Sequence, residues 1–134
     1  MAADRDKVEK SEQEWREQLS PLQYAVLRES GTERAFTGKY WNTKTAGTYV
    51  CAGCRTPLFR SEQKYASGCG WPSFFEELQD ADIEIRVDRS HGMVREEILC
   101  SVCGGHLGHV FPDGPPPTGK RYCVNSASIE LVED

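Results

Sequence analysis

A chain of 134 residues has the length of one domain, with room for one modest hydrophobic core. Its 38% hydrophobic and 28% charged content excludes bulk disorder, and its net charge of -5 argues against a nucleic-acid partner. No run is apolar enough to cross a bilayer, and the polar N-terminus has neither the apolar stretch nor the cleavage site of a secretory signal, so a cytoplasmic protein with no membrane partner is expected.

Residues Asp4 to Gly31 read as helical and largely polar. Ser20-Pro21-Leu22-Gln23 is a helix start: Ser20 caps, Pro21 suits the first turn and Gln23 completes a capping box. Leu22, Ala25, Val26 and Glu29 follow helical spacing, with Tyr24 and Leu27 widening the apolar face and Gly31 as a stop. Thr32 to Ala46 is an irregular arm that Phe36, Tyr40 and Trp41 are expected to clip onto the domain. From Gly47 the pattern is β. Thr48-Tyr49-Val50 runs into Cys51, Ile83 to Val87 alternates with period two, and Val94 to Leu99 runs into Cys100. Ser90-His91-Gly92 between the last two is a hairpin turn, and His91 is given no role. Tyr122–Asn125 and Ser128–Val132 are closing strands, with Gly- and Pro-rich links between elements. Many short strands predict an antiparallel barrel or sandwich, with helices confined to the N-terminal side.

Six cysteines need an account. Cys51-Ala-Gly-Cys54 and Cys100-Ser-Val-Cys103 are two C-x2-C pairs, each following a predicted strand. Two such hairpins bring four thiolates into a tetrahedron, the usual structural zinc arrangement. A thioredoxin-like reading would need a βαβ context, and none is visible. Four cysteines leave no open position, so one zinc per chain is expected to staple the fold without taking part in chemistry. His106 and His109 are less favoured rival ligands. Cys69 and Cys123 remain. Each alone reads as a small buried hydrophobe. Context shifts this: Ser67-Gly-Cys69-Gly70 is a glycine loop suited to an incoming second sulfur, and Arg121-Tyr-Cys123 lies on a strand, where an attacking group can be aimed and Arg121 favours thiolate. In Gly104-Gly-His106-Leu-Gly-His109, the histidines either make structural hydrogen bonds in a glycine-rich turn or serve as acids or donors in a cleft.

Together, Ser67-Gly-Cys-Gly-Trp-Pro-Ser-Phe74, Gly105-His-Leu-Gly-His-Val-Phe111, Asp113-Gly-Pro115, Arg121-Tyr-Cys-Val-Asn-Ser126, Gly31-Thr-Glu33 and the two cysteine pairs resemble the B-type methionine sulfoxide reductases, selective for the R epimer. The resemblance runs from about Ser20 to Val132, with the motifs in family order. Ala35 departs from it, where Pro is expected. It implies a mainly β fold, a β-tent or antiparallel barrel-like domain over residues 20–134, with short N-terminal helices and a polar helical extension at 1–19. It implies Cys123 as nucleophile, Cys69 as resolving cysteine, and His106, His109 and Asn125 at the sulfoxide oxygen. Trp71 packs on the methyl, Arg121 and Phe111 bind substrate, and Asp113 supports from further out. Methionine R-sulfoxide in oxidised proteins is the implied substrate and thioredoxin the implied reductant; a monomer is expected. The rival is a zinc-stapled binding module without catalysis, which leaves Cys69, Cys123 and the histidines unexplained.

Overall fold

The computed structural model describes residues 8–78, 81–89 and 92–134. The expected turn residues Ser90 and His91, and the first seven residues of the N-terminal stretch, lie outside them. The helical stretch is two short helices, α1 (Glu12–Gln18) and α2 (Pro21–Glu29), as expected. The second begins as its sequence predicts: the Ser20 side chain accepts from the Gln23 N–H, and the Gln23 side chain accepts from the Ser20 N–H. Ser11 and Glu14 repeat this box at the start of α1. Leu19, extended at the α1 C-cap, breaks the run. The α2 stop differs from expectation. Ser30, at φ 57°, takes the left-handed cap position assigned to glycine, and Gly31 donates to the Ala25 carbonyl. Leu22 is 55% exposed, so the buried face of α2 is Tyr24, Val26 and Leu27.

The β region is antiparallel throughout its pairings. Strand β1 (Gly47–Cys51) lies between β2 (Pro57–Arg60) and β9 (Ile129–Glu133) in a three-stranded sheet. The second sheet orders β3 (Lys64–Tyr65), β4 (Ser73–Phe74), β8 (Arg121–Val124), β7 (His106–Phe111), β6 (Arg95–Cys100) and β5 (Ile83–Asp88). The mainly β expectation holds, with two open sheets in place of a closed barrel. Between them Tyr49, Phe59, Phe74 and Tyr122 pack edge-on or stacked, with ring centroids 4.3–5.7 Å apart. Outer strand β5 leaves Ile85 and Val87 exposed. Among the described residues, no helix is long and apolar enough to cross a membrane.

The arm is held by Tyr40, as expected of its aromatics, and also by Glu33. Tyr40 is buried, but Phe36 is exposed against Trp41. Glu33 is 3% exposed; its N–H donates to Asn125 Oδ1 and its Oε1 accepts from the Ala127 N–H at 2.8 Å. A buried carboxylate held this way ties the arm to the turn after β8.

The helices close over the cysteine hairpins. Trp15 is 2% exposed and lies over the first hairpin; a methyl on Gly53 would sit 3.3 Å from its ring. Arg28 stacks on the same ring at 4.6 Å and donates to the Cys103 carbonyl at 2.7 Å. Gln18 donates to the Gly53 carbonyl at 2.7 Å.

Candidate active site and metal centre

The two cysteine hairpins fold alike. Arg55 and Gly104, each just after the second cysteine of its pair, have φ of 69° and 77°. Their N–H groups donate back to the carbonyls of Cys51 and Cys100 at 2.8 and 2.7 Å. Glycine adopts this conformation freely, while Arg55 adopts it at a steric cost. The four sulfurs lie within 4.8 Å of one another, with Cys51–Cys103 at 3.7 Å and Cys54–Cys100 at 3.5 Å. A tetrahedral ion with zinc–sulfur bonds of about 2.3 Å sets sulfurs about 3.8 Å apart, so the cluster fits such an ion. Hydrogen bonding among the sulfurs pulls Cys54 and Cys103 down and pushes Cys51 and Cys100 up, leaving protons that a cation replaces. Neither His106 nor His109 belongs to this cluster.

The other two cysteines meet at the opposite kind of site. Register sets Ser73 on β4, Cys123 on β8, His109 on β7 and Glu97 on β6 in one cross-strand row. Cys69, from the glycine loop before β4, brings its sulfur to 3.5 Å from that of Cys123. Gly70 has φ 92°, and any side chain there would strike Ala35 and Phe36. The loop is therefore pinned beside the arm rather than loose.

The glycine-rich histidine segment is a strand, not a turn. Gly108 is required because a Cβ there would fall 2.0 Å from the Cys123 carbonyl oxygen. In a regular strand His106 and His109, three apart, would face opposite sides. Here the pairing runs Gly108↔Ile98 and then His106↔Leu99, so Leu107 is an extra, bulged residue. The bulge turns both rings to one side, 5.6 Å apart and edge-on.

A cleft of about 260 Å³ opens over Cys123, lined by Trp71, His109, Phe111, Arg121 and Asn125 among the residues expected, and by Thr32 and Arg95, which were not. His106 is not among its lining residues; it is buried against Glu97 Oε2 at 2.6 Å. Cys69 instead lines a separate hollow with Tyr65, Ser67, Asp113 and Pro115, and Arg121 borders both. Trp71 is fixed by its Nε1–H donating to the Glu33 carbonyl at 3.0 Å. Asn125 spends its Oδ1 on the Glu33 N–H and one Nδ2–H on the Leu107 carbonyl, which leaves one N–H. Arg121 pairs with Asp113 at 3.0 Å and lies over the Phe111 ring at 4.4 Å.

Charge in the thiol pair differs from the expectation that Arg121 makes Cys123 the thiolate. Burial, then the neighbouring Cys69, pushes Cys123 up to about 12, and Arg121 only partly offsets this. For Cys69 burial is the largest single influence and raises it, yet its bonds with Ser67, Ser73, the Trp71 backbone and Cys123 together outweigh burial and bring it down to about 7. With the two sulfurs 3.5 Å apart, Cys69 is the thiol that ionises first and Cys123 the one that keeps its proton.

The sequence matches the SelR domain over residues 19–133. It is 64% identical over 126 residues to the peptide methionine sulfoxide reductase MsrB of Hahella chejuensis, covering 94% of this chain and 91% of the relative. It is 60% identical to the proteins of that name from Bradyrhizobium diazoefficiens, over 94% of this chain and 91% of the relative, and Acinetobacter baylyi, over 96% and 92%. These matches run the length of the domain that carries the paired thiols and the sulfur cluster, and the chain belongs to the SelR family of peptide methionine sulfoxide reductases.

Proposed function

We propose that this enzyme reduces methionine R-sulfoxide in oxidised proteins with Cys123 as nucleophile and Cys69 as resolving cysteine. The observation that carries the reading is the 3.5 Å approach of the two sulfurs, one at the floor of the cleft and one opening onto the hollow beside it. The Cys123 thiolate attacks the sulfoxide sulfur after its proton has passed to Cys69. One proton reaches the oxygen, its bond to the methionine sulfur breaks and the oxygen passes to the Cys123 sulfur as hydroxyl, so that methionine leaves and Cys123 becomes a sulfenic acid. Cys69 then attacks that sulfur, forming the disulfide and releasing water. A dithiol protein of the thioredoxin class takes the disulfide back to two thiols, approaching from the Cys69 side.

His109 and the remaining Asn125 N–H serve the oxygen, with His106 behind His109. Burial holds His109 below the ordinary imidazole value, so it is mainly neutral at pH 7, and its protonated form is the one that hands a proton to the oxygen as the S–O bond breaks. Trp71 receives the methyl and Phe111 the side-chain stem, while Arg121 steadies charge between cleft and hollow. An apolar wall opposite polar groups distinguishes the epimers, because the wrong one leaves buried donors unpaired. We assign one zinc per chain to Cys51, Cys54, Cys100 and Cys103, as a staple outside the chemistry. Residues 20–134 form the reductase domain and 1–19 an extension whose α1 packs on it. The protein acts as a cytoplasmic monomer.

The test mixes reduced protein separately with R- and S-methionine sulfoxide and counts methionine released and thiols lost. Release from the R form alone, with two thiols lost per methionine, is expected. Release from neither, with metal bound and fold intact, overturns the reading in favour of a binding module.

A further inference from the structure

The β5–β6 hairpin carries three charged residues that face the histidines of β7 and have no part in the function so far. Asp88 ends β5 and reaches across the sheet: its Oδ2 lies 2.9 Å from His109 Nε2 and 3.2 Å from Arg95 Nη2. Glu97, on β6, has its Oε2 2.6 Å from His106 Nδ1. All are largely buried; the side chains of Asp88 and Glu97 are 17% exposed, and those of His106 and His109 are 5% and 12% exposed.

We propose that Asp88, with Arg95, and Glu97 are positioning residues for the reductase site, fixing His109 through Nε2 and His106 through Nδ1. The inference rests on the reading that these histidines serve the sulfoxide oxygen.

The chemistry follows from what a carboxylate can do. It accepts and does not donate, so each imidazole must present an N–H to it. His109 is held in the Nε2–H form and His106 in the Nδ1–H form. The opposite nitrogens, His109 Nδ1 and His106 Nε2, are left for other partners, and His106 Nε2 is buried with no protein partner. A carboxylate behind an imidazole also stabilises the imidazolium when the ring takes a second proton, without itself becoming protonated. For His109, burial disfavours that cation most, Arg95 and His106 disfavour it further, and Asp88 is the group that favours it. Arg95 in turn holds Asp88 and lines the cleft, so one ion pair links the cleft wall to the back of the His109 ring. The bulge at Leu107 turns both rings to the face where Asp88 and Glu97 lie, so that each ring has its own carboxylate.

The experiment uses the zinc-loaded, reduced full chain. Nitrogen NMR of labelled imidazoles reports the tautomers, and single-turnover release of methionine from the R-sulfoxide of a blocked methionine amide reports the chemical step. The wild type is expected to show Nε2–H for His109 and Nδ1–H for His106. Asp88→Asn, which can donate as well as accept, should mix the His109 tautomers and slow release about 10–100-fold. In a His109→Ala background the same change should cost nothing further, because the ring it positions is gone. Glu97→Gln and His106→Ala form a second, independent cycle, which decides the matter if Asp88→Asn does not fold. An equal loss from the carboxylate variant with and without its histidine overturns positioning and leaves a structural role. If His106→Ala and His109→Ala both release methionine at the wild-type rate, the reading of the histidines falls first and the inference with it.

Discussion

The molecule has two gatherings of cysteine, and they are built on opposite plans. Four sulfurs at the helix end lie by Trp15 and Arg28 at the tips of two matching hairpins, each closed by an N–H that donates back to the carbonyl of its first cysteine. Two sulfurs at the sheet end lie in a row of strand residues, opening on one side to a cleft and on the other to a hollow. The difference is one of satisfied valence. Four thiolates around a metal ion would complete a tetrahedron with no place for a further ligand, whereas two neighbouring thiols can close and reopen a disulfide. Three of the four sulfurs of the first group are buried, whereas both of the second are partly exposed, with the Ser67 and Ser73 hydroxyls on Cys69.

The sharpest way to break the comparison is to move damage between the ends. Cys123→Ser should abolish methionine release while the metal content stays at about one ion per chain. Cys69→Ser should release methionine once and then stall with a thioredoxin-class reductant. Anaerobic single-turnover assays with metal analysis of the same samples check both. Normal recycling by Cys69→Ser would remove its resolving role.

At the other end, Cys100→Ser should lose the metal and destabilise the fold by several kcal/mol, whatever the state of Cys123. Chelator treatment of the wild type should act the same way, with loss of activity tracking unfolding rather than preceding it. A folded, chelated protein that has lost activity would mean that the metal belongs to the chemistry.

Much of this contrast was legible in the sequence, and the parts that were not share a cause. Two C-x2-C pairs and a strand-borne Cys123 are local patterns, readable from spacing. The capping box at Ser20 is equally local. The histidine segment was not, because glycines argue for a turn, and only the partner strand explains them: Gly108 is there to clear the Cys123 backbone. Leu107 as a bulge, and hence the shared face of His106 and His109, depends on register with β6. Asp88, Arg95 and Glu97 read as ordinary polar positions of an alternating hairpin until that register is known. Leu22 fits helical spacing but points away from the body, since spacing defines a stripe without saying which edge of it is covered.

The seal over the metal end can be thinned without touching a ligand. Trp15→Ala removes a fully buried ring from over the first hairpin and leaves Arg28 and Gln18 to hold the cover. A loss of about 3–5 kcal/mol in unfolding free energy is expected. Zinc should also transfer faster to a chromogenic chelator under native conditions. Unchanged transfer, with the stability lost, would show that α1 supports the fold without guarding the ion.

The finest adjustment concerns which of the two thiols keeps its proton. Thiolate is the form that alkylates, so in the free enzyme Cys69 modification should slow as pH falls through about 7 and level off above it. Cys123, held up by burial and by its neighbour, should lag across the same range. The Ser67 hydroxyl donates to Cys69 at 3.0 Å. Ser67→Ala removes that bond and should raise the Cys69 midpoint by about one pH unit, since a hydrogen bond to a charged group contributes about 1.5–3 kcal/mol and solvent at this half-buried site screens part of it. The sign follows from the form the hydroxyl favours: it stabilises the anion, so its loss favours the thiol and moves the midpoint upward. Site-resolved mass spectrometry of alkylated peptides between pH 5 and 10 reads both cysteines at once. A midpoint that stays in place assigns the low value of Cys69 to its other partners, Ser73, the Trp71 backbone and Cys123. Early alkylation of Cys123 in place of Cys69 would reverse the order of the pair, making Cys123 the resting thiolate and leaving no proton to be handed to Cys69 before attack.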